Sequence, residues 1–172
     1  MKKLFKSLFV LILFTGSFLA FGLSANADEP EILNPGEIKI LESETPLNDN
    51  QIQEKYGEFL DGDTYQEVIL PIYPNSNNSP MSRLSIGTIK FYYQSGSVHW
   101  NISGIVSMNG NITFTDLTSG SSYKVGVRGT YGSNGAPTAK GHKIRATLDA
   151  KITDPKGNVG WIPSSPWLQW TN

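Results

Sequence analysis

Alternation of apolar and polar residues restricts the fold of this chain more than any other feature of its sequence. In residues 144–152 every second residue is apolar, and the residues between them are polar or charged. A period of two is the spacing of a β-strand that buries one face and leaves the other in water. Similar runs recur from Thr64 onward, separated by short turns. The turns are too short for crossover helices, so the expected fold class is all-β: an antiparallel β-sandwich, or a partly open barrel, of about 7–9 strands.

Local patterns predict further details of these strands. Pro71 cannot donate a ladder hydrogen bond, which places the strand over residues 65–73 at a sheet edge or at a bulge. Asn109-Gly110 is a strong signal for a tight hairpin turn, so one strand is expected to end there. The glycine-containing stretch over residues 132–141 predicts a long loop.

One short helix is predicted before the strands. Asn50 and Gln53 have the spacing of a capping box, in which the two side chains bond to each other's backbone N–H groups. Apolar residues that follow share one helical face, so an amphipathic helix is expected from about residue 50 to residue 60. Asp61-Gly62 would end it.

The beginning of the chain has the three-part pattern of a secretion signal. Lysines in the first six residues precede a largely apolar run over residues 8–23, and small residues follow over residues 24–27. We therefore expect a signal peptide over residues 1–27 and a secreted bacterial product, either extracellular or associated with the cell envelope. The alternative is an uncleaved membrane anchor. Because no second run of this kind follows, no stable membrane anchor is expected after cleavage.

Charge divides the remainder of the chain into two parts. Residues 28–67 contain twelve acidic residues against two lysines, a net charge of −10. Residues 68–172 contain three acidic against nine basic residues, a net charge of +6. The expected organisation is an acidic N-terminal segment over residues 28–63, with a short strand and the helix, followed by an antiparallel β domain over residues 64–172. Such asymmetry indicates either partners of opposite charge or internal docking of the two parts.

Residue types that usually carry catalysis are scarce. The chain has no cysteine, which excludes disulfides, thiolate nucleophiles and thiolate zinc sites. It has two histidines, His99 and His142, and no Gly-x-Ser-x-Gly elbow. Asp61, Asp63 and Glu67 offer the oxygen ligands that Ca²⁺ prefers, but their spacing matches no complete calcium loop. We therefore expect no catalytic residue, no cofactor and no bound metal.

Aromatic and basic side chains are the candidate binding groups. Flat rings on an exposed strand face stack on sugar rings or fill protein interfaces. The candidate ligand-binding aromatic residues are Trp100, Trp161, Trp167 and Trp170. A basic face is expected if the two strands that carry it are neighbours, and its residues are Lys124, Arg128, Lys143, Arg145 and Lys151. The alternatives are that two or three of the tryptophans close the end of the sandwich and that the cations form an ordinary solvated surface.

These features favour a secreted non-enzymatic binding module whose partner is a cell-wall polymer or a surface protein. Nucleic acid is not expected as a partner outside the cell. One alternative is a secreted antagonist, a bacteriocin or pore-forming toxin, because long amphipathic strands can reassemble in a membrane. A second alternative is a small extracellular hydrolase, which requires a pair of carboxylates or a histidine in a polar pocket. The sequence leaves the ligand, the strand order and the oligomeric state open.

Overall fold

Two β-sheets packed together form the body of the protein in a computed structural model that describes residues 30–73, 85–162 and 165–172. Within these ranges one helix, α1, spans Asp49–Tyr56. The eleven strands of these ranges are β1 (Ile38–Ile40), β2 (Leu60–Asp61), β3 (Gln66–Ile72), β4 (Gly87–Gln94), β5 (Ser97–Ile102), β6 (Ser107–Asp116), β7 (Ser122–Arg128), β8 (Tyr131–Gly135), β9 (Lys143–Thr153), β10 (Val159–Trp161) and β11 (Trp167–Thr171). The fold is mostly β and is consistent with a β-sandwich. The signal peptide predicted over residues 1–27 lies outside the described residues.

The larger sheet has seven strands, and the smaller sheet has four. The larger sheet has the order β1-β7-β6-β9-β11-β2, and β10 also pairs with β9. The smaller sheet has the order β3-β4-β5-β8. Neighbouring strands are antiparallel except β11 and β2, which are parallel. The expected number of strands was too low because β2 has only two residues and β8 lies in a stretch that was predicted as a loop.

The hydrophobic core lies between the two sheets and contains alternate residues of their strands. On β9 the apolar residues of 144–152 are all buried, as their spacing predicts. Phe91 and Trp100 are among the buried residues of the smaller sheet, and Trp170 of β11 stacks on Tyr93 of β4 with ring centroids 4.2 Å apart. Pro71 lies on β3 at one edge of the smaller sheet, which confirms the predicted edge strand.

The hairpin turn predicted at Asn109-Gly110 is wrong, because both residues lie inside β6. Gly110 is opposite Ala150 of β9, and a Cβ atom on Gly110 would lie 2.4 Å from the Ala150 Cβ. This glycine therefore permits a close approach of two strands and does not form a turn. The chain turns between β6 and β7 instead, where Gly120 has a φ of 76° and its N–H donates to the Asp116 carbonyl at 2.8 Å.

Helix α1 begins and ends earlier than its sequence pattern predicts. Its capping box is formed by Asn48 and Gln51, whose side chains each accept a hydrogen bond of 3.0 Å from the other's backbone N–H. The predicted pair, Asn50 and Gln53, has the same residue types at the same spacing, so the motif alone did not distinguish the two registers. The helix ends before Gly57, which has a φ of 79°.

Residues of the acidic segment lie at the two edges and on the outer face of the larger sheet. Strand β1 pairs with β7, and the Leu33 N–H donates to Asn111 Oδ1 of β6 at 3.0 Å. From β11, the Gln169 side-chain amide donates to the carbonyl oxygens of Tyr56 and Glu58, at 2.9 and 2.7 Å. Ile32–Asn172 thus form one compact unit, in which the helix covers part of a sheet.

Candidate functional site

Two of the four candidate tryptophans belong to the core. Trp100 is 5% exposed, and Trp170 is fully buried. The Trp100 Nε1–H donates to the Gly129 carbonyl at 3.0 Å, and the Trp170 Nε1–H donates to Asn172 Oδ1 at 2.8 Å. Because these indoles are enclosed and their polar groups are paired within the protein, we do not retain Trp100 and Trp170 as ligand-binding residues.

Trp167 is placed differently, on an outward position of β11 with 45% of its surface exposed. The guanidinium carbon of Arg145 lies 4.6 Å from the centroid of the Trp167 ring and 5.1 Å from that of Tyr56 of α1. Such cation–π contacts are worth roughly 0.5–1 kcal/mol each at exposed sites. These contacts restrain the Trp167 ring. They also bring together Trp167, a predicted ligand-binding aromatic residue, and Arg145, a residue of the predicted basic face.

An open cleft of about 370 Å³ lies beside this ring. The cleft, called the Trp167 cleft below, is lined by Val68, Leu70, Ser165, Pro166 and Trp167. Val68 and Leu70 are half-buried residues of the edge strand β3, and the Ser165 hydroxyl donates to the Asp149 carboxylate. Since liquid water occupies about 30 Å³ per molecule, the cleft has room for on the order of ten waters, or for a ring-sized group.

Trp161 occupies a separate position on β10. It is half-buried, lies opposite Lys151 of β9, and lines a pocket of only about 20 Å³ together with Asp154. Asp154 holds the adjoining turn, because its carboxylate accepts hydrogen bonds from the Asn158 side chain and from two backbone N–H groups. These bonds, chiefly the one from the Asn158 side chain, lower the pKa of Asp154 below its ordinary value.

The predicted basic face is divided rather than continuous. Strands β7 and β9, which carry its residues, are separated by β6 and are not neighbours, contrary to the condition on which the face depended. Lys143 forms an ion pair of 2.7 Å with Asp49 of α1, and Arg145 is held between two rings. Lys124 and Arg128 lie on β7, and Lys151 lies toward the far end of β9. The acidic segment therefore compensates part of the positive charge within the chain itself.

His142 forms a structural pair with Asp116. Its Nδ1 lies 2.6 Å from Asp116 Oδ2, and the N–H groups of Thr118 and Ser119 donate to Asp116 Oδ1 at 3.0 and 3.1 Å. Burial by itself would raise the pKa of Asp116, but the bonds from His142 and Ser119 outweigh it and hold this pKa below its ordinary value. The carboxylate thus fastens the turn after β6 to the start of β9.

The acidic group considered for calcium is not brought together. Asp61 and Asp63 line an open pocket of about 320 Å³ with Lys140 and Asn172, whereas Glu67 forms an ion pair of 2.6 Å with Lys90. Across the three described ranges, no group of three or more potential metal-ligating side chains occurs.

A line of rings on the outer face of the smaller sheet was missed by the sequence analysis. This tyrosine stripe consists of Tyr65, Tyr92, His99 and Tyr131. Tyr92 and His99 stack with centroids 4.8 Å apart and planes at 9°, and Tyr65 is tilted against Tyr92 at 5.9 Å. Tyr131 is 78% exposed. Tyr92 and His99 face each other in the β4–β5 hairpin, but Tyr65 and Tyr131 come from other parts of the chain, so the complete line could be found only once the order of the strands was known.

The charges within the stripe compensate each other. Lys90 pairs with Glu67, which also accepts a hydrogen bond of 2.5 Å from the Tyr65 hydroxyl. The Lys90 ammonium lies 5.7 Å from the ring centroid of Tyr65 and 5.3 Å from that of Tyr92. The Lys90–Glu67 hydrogen bond raises the pKa of Lys90 and lowers that of Glu67, so both groups stay ionised at neutral pH.

The Trp167 cleft and the tyrosine stripe are therefore the two candidate binding surfaces. Each combines exposed rings with a few polar groups, which is a common composition of ligand sites. No helix in the described ranges has the length and apolar character needed to cross a membrane. No protein-family model, no characterised protein and no solved structure matches this chain.

Proposed function

We propose that this chain is a secreted, non-enzymatic binding module that recognises glycans of the cell envelope through the Trp167 cleft. The observation that carries this proposal is the position of the Trp167 ring: half exposed, restrained by Arg145, and beside an open apolar cleft of about 370 Å³. A ring already held in place loses little conformational freedom on binding, which favours affinity.

The chemistry of the cleft suits a sugar. A sugar ring presents apolar C–H groups on its faces and hydroxyl groups around its rim. Trp167 and the aliphatic residues Val68 and Leu70 offer apolar surface, and the Ser165 hydroxyl and the Asp149 carboxylate offer hydrogen bonds beside it. An apolar pocket with a few polar groups at fixed positions is the common design of small-molecule sites.

Within residues 68–172, the acidic residues that lie on strands are Asp116 and Asp149. Their placement supports binding rather than hydrolysis. Asp149 lies opposite Asn111, and Asp116 lies five residues beyond Asn111 on β6, a separation of about 17 Å along the strand. An odd separation in a strand also directs two side chains to opposite faces. The carboxylates of a glycoside hydrolase lie roughly 5–10 Å apart across one cleft, so Asp116 and Asp149 do not form such a pair.

The proposal is tested by replacing Trp167 with alanine and measuring binding to purified peptidoglycan, with insoluble cellulose and chitin as further probes. We expect the native chain to bind at least one of them and Trp167→Ala to bind it about thirtyfold more weakly, as for a central aromatic contact. Trp161→Ala is the matched control, since Trp161 lies outside the cleft, and it should bind as the native chain does. Equal binding by Trp167→Ala, or no binding by the native chain, would contradict the proposal.

N-terminal sequencing of the exported product should find Asp28 first.

A further inference from the structure

We propose that the tyrosine stripe is a second binding site, for a neutral linear polysaccharide, so that one molecule holds two glycan segments. The inference takes the general class of ligand from the proposed function but rests on different residues. It is carried by the alignment of the rings, by the charge balance among them, and by the separation of the stripe from the Trp167 cleft.

The rings follow a diagonal across the smaller sheet. Tyr92 of β4 is directly opposite His99 of β5. Tyr65, just before β3, is displaced from this pair by two residues in one direction along the strands, and Tyr131 of β8 is displaced by two residues in the other direction. The line crosses three strand spacings of about 4.8 Å and four residues of about 3.4 Å, so its length is on the order of 20 Å. A track of this length and of one ring's width fits an extended polymer better than a compact ligand.

The rings offer two kinds of contact. Tyr131 is 78% exposed, and Tyr65, whose ring also contacts Lys90, is 45% exposed, so both offer ring surface on which sugar rings can stack. Tyr92 and His99 are half-buried, and each covers one face of the other, so they present less ring surface to a ligand together with their polar atoms. Ring faces at the two ends of the stripe, with polar atoms between them, suit a chain of sugars, which presents both apolar C–H faces and hydroxyl groups.

The charge balance favours a neutral ligand. The Lys90 ammonium and the Glu67 carboxylate are 2.6 Å apart, and both lie among the rings of the stripe. An anionic polymer would have to compete with Glu67 for Lys90, and a cationic one with Lys90 for Glu67. Hydroxyl groups can instead donate to Glu67 and accept from Lys90 without separating the pair.

The composition of this face disfavours a second protein copy as the occupant. Among the described strand residues that face outward here, Ile69 is the one exposed large aliphatic side chain, and its neighbours across the sheet are polar. Permanent dimer interfaces have an apolar centre, with aliphatic and aromatic residues together. A row of tyrosines among serine, asparagine and threonine side chains lacks such a centre.

The stripe and the Trp167 cleft are separate surfaces that share one strand. Inward residues of β3, Val68 and Leu70, line the cleft, whereas Glu67 and Ile69 of the same strand face outward beside the stripe. A polymer that occupies both surfaces is held with the avidity of two linked sites, and two polymers can be joined by one protein molecule.

The test uses the full chain and soluble neutral polysaccharides, hydroxyethyl cellulose and glycol chitin, with polygalacturonate as the anionic comparison. Affinity electrophoresis measures binding, and light scattering measures cross-linking. The double variant Tyr65→Ala plus Tyr131→Ala should bind the neutral polymer about tenfold more weakly and should no longer raise its scattering. Trp167→Ala should keep the binding that the stripe provides but should also lose cross-linking. Tyr73→Ala, a 49% exposed tyrosine outside the stripe, is the matched control and should behave as the native chain does.

The outcomes separate this inference from the proposed function. If Trp167→Ala abolishes all binding and the double variant binds as the native chain does, the second site does not exist, while the proposed function stands. If only the double variant loses binding, the stripe is a glycan site and the cleft is not. Preference for polygalacturonate, or a native dimer that the double variant dissociates, would overturn the inference. A native chain that binds no polysaccharide would overturn both proposals.

Discussion

A single partly buried carboxylate, that of Asp116, connects the end of β6 with the beginning of β9. Hydrogen bonds from His142 and Ser119 hold its pKa below the ordinary value although burial acts in the opposite direction. A pKa that is lower in the folded than in the unfolded state means that the ionised form stabilises the fold. This contribution is complete at neutral pH and is lost progressively as the pH falls below about 5.

We therefore expect Asp116→Asn to lower the free energy of unfolding by about 1 kcal/mol at pH 7, because a charge-assisted hydrogen bond is replaced by a neutral one. At an acidic pH below the lowered pKa of Asp116, the native carboxyl is protonated, and the difference should shrink toward zero. Urea unfolding monitored by circular dichroism at both pH values measures this. Asp63→Asn, which removes an exposed carboxylate, is the control and should change little at either pH. A difference that stays constant with pH would show that ionisation of Asp116 is not the cause.

The tryptophans also show what can be known residue by residue. Trp167 and Trp170 are three residues apart on one strand, and an odd spacing in a strand directs two side chains to opposite faces. The sequence therefore indicates that one ring faces the core and the other does not. Which of the two is buried depends on where the smaller sheet lies, and the structure buries Trp170 against Tyr93.

Among the strands, β8 differs most from its sequence-based prediction. Residues 132–141 predict a loop, yet Tyr131–Gly135 pairs with β5 as an edge strand. Three of the five residues of β8 are glycine or serine, and its sequence shows no alternation of apolar and polar residues. Trp100 of β5 explains why a glycine stands at position 132 of this strand. A Cβ atom on Gly132 would lie 2.3 Å from the Trp100 ring, so β8 can pair with β5 only if this residue has no side chain.

We expect Gly132→Ala to lower the free energy of unfolding by about 1–3 kcal/mol, because the added methyl group overlaps a buried ring that has little space to move. Urea unfolding measures the loss, and the tryptophan fluorescence maximum reports the displacement of Trp100. Gly135→Ala on the same strand is the matched control, since a Cβ atom there meets nothing within 4 Å, and it should change stability by less than about 0.5 kcal/mol. Equal effects of the two substitutions would contradict this account of Gly132.

At the scale of the whole molecule, the acidic segment is attached to the larger sheet by burial as well as by charge. Ile52 of α1 is fully buried and Leu33 nearly so, and neither belongs to the core between the sheets. The ion pair between Asp49 and Lys143 joins the same two parts, but the Asp49 side chain is 85% exposed. Exposed ion pairs contribute little, typically well below 1 kcal/mol, so burial of Ile52 stabilises the attachment more than this ion pair does.

Ile52→Ala should therefore lower the free energy of unfolding by about 3 kcal/mol, as expected for a buried isoleucine, and should increase hydrogen exchange in α1. Asp49→Ala removes the ion pair but no buried surface and should cost less than about 0.5 kcal/mol. Denaturant unfolding of both variants, with and without 1 M NaCl, compares the two contributions. If Asp49→Ala proved the more damaging and its effect disappeared in salt, charge rather than burial would hold the segment.

What the sequence by itself determined are the properties that depend on near neighbours: the β-rich class, the alternation of buried and exposed residues along β9, the edge position of Pro71 and the existence of one capped helix. These follow from backbone geometry, which repeats every two residues in a strand and every 3.6 in a helix. Strand order, the interior position of Asn109-Gly110, the burial of Trp100 and Trp170, and the alignment of Tyr65, Tyr92, His99 and Tyr131 were decided only by the tertiary structure. Each depends on pairing between residues far apart in the chain, and local periodicity carries no information about which strand lies beside which.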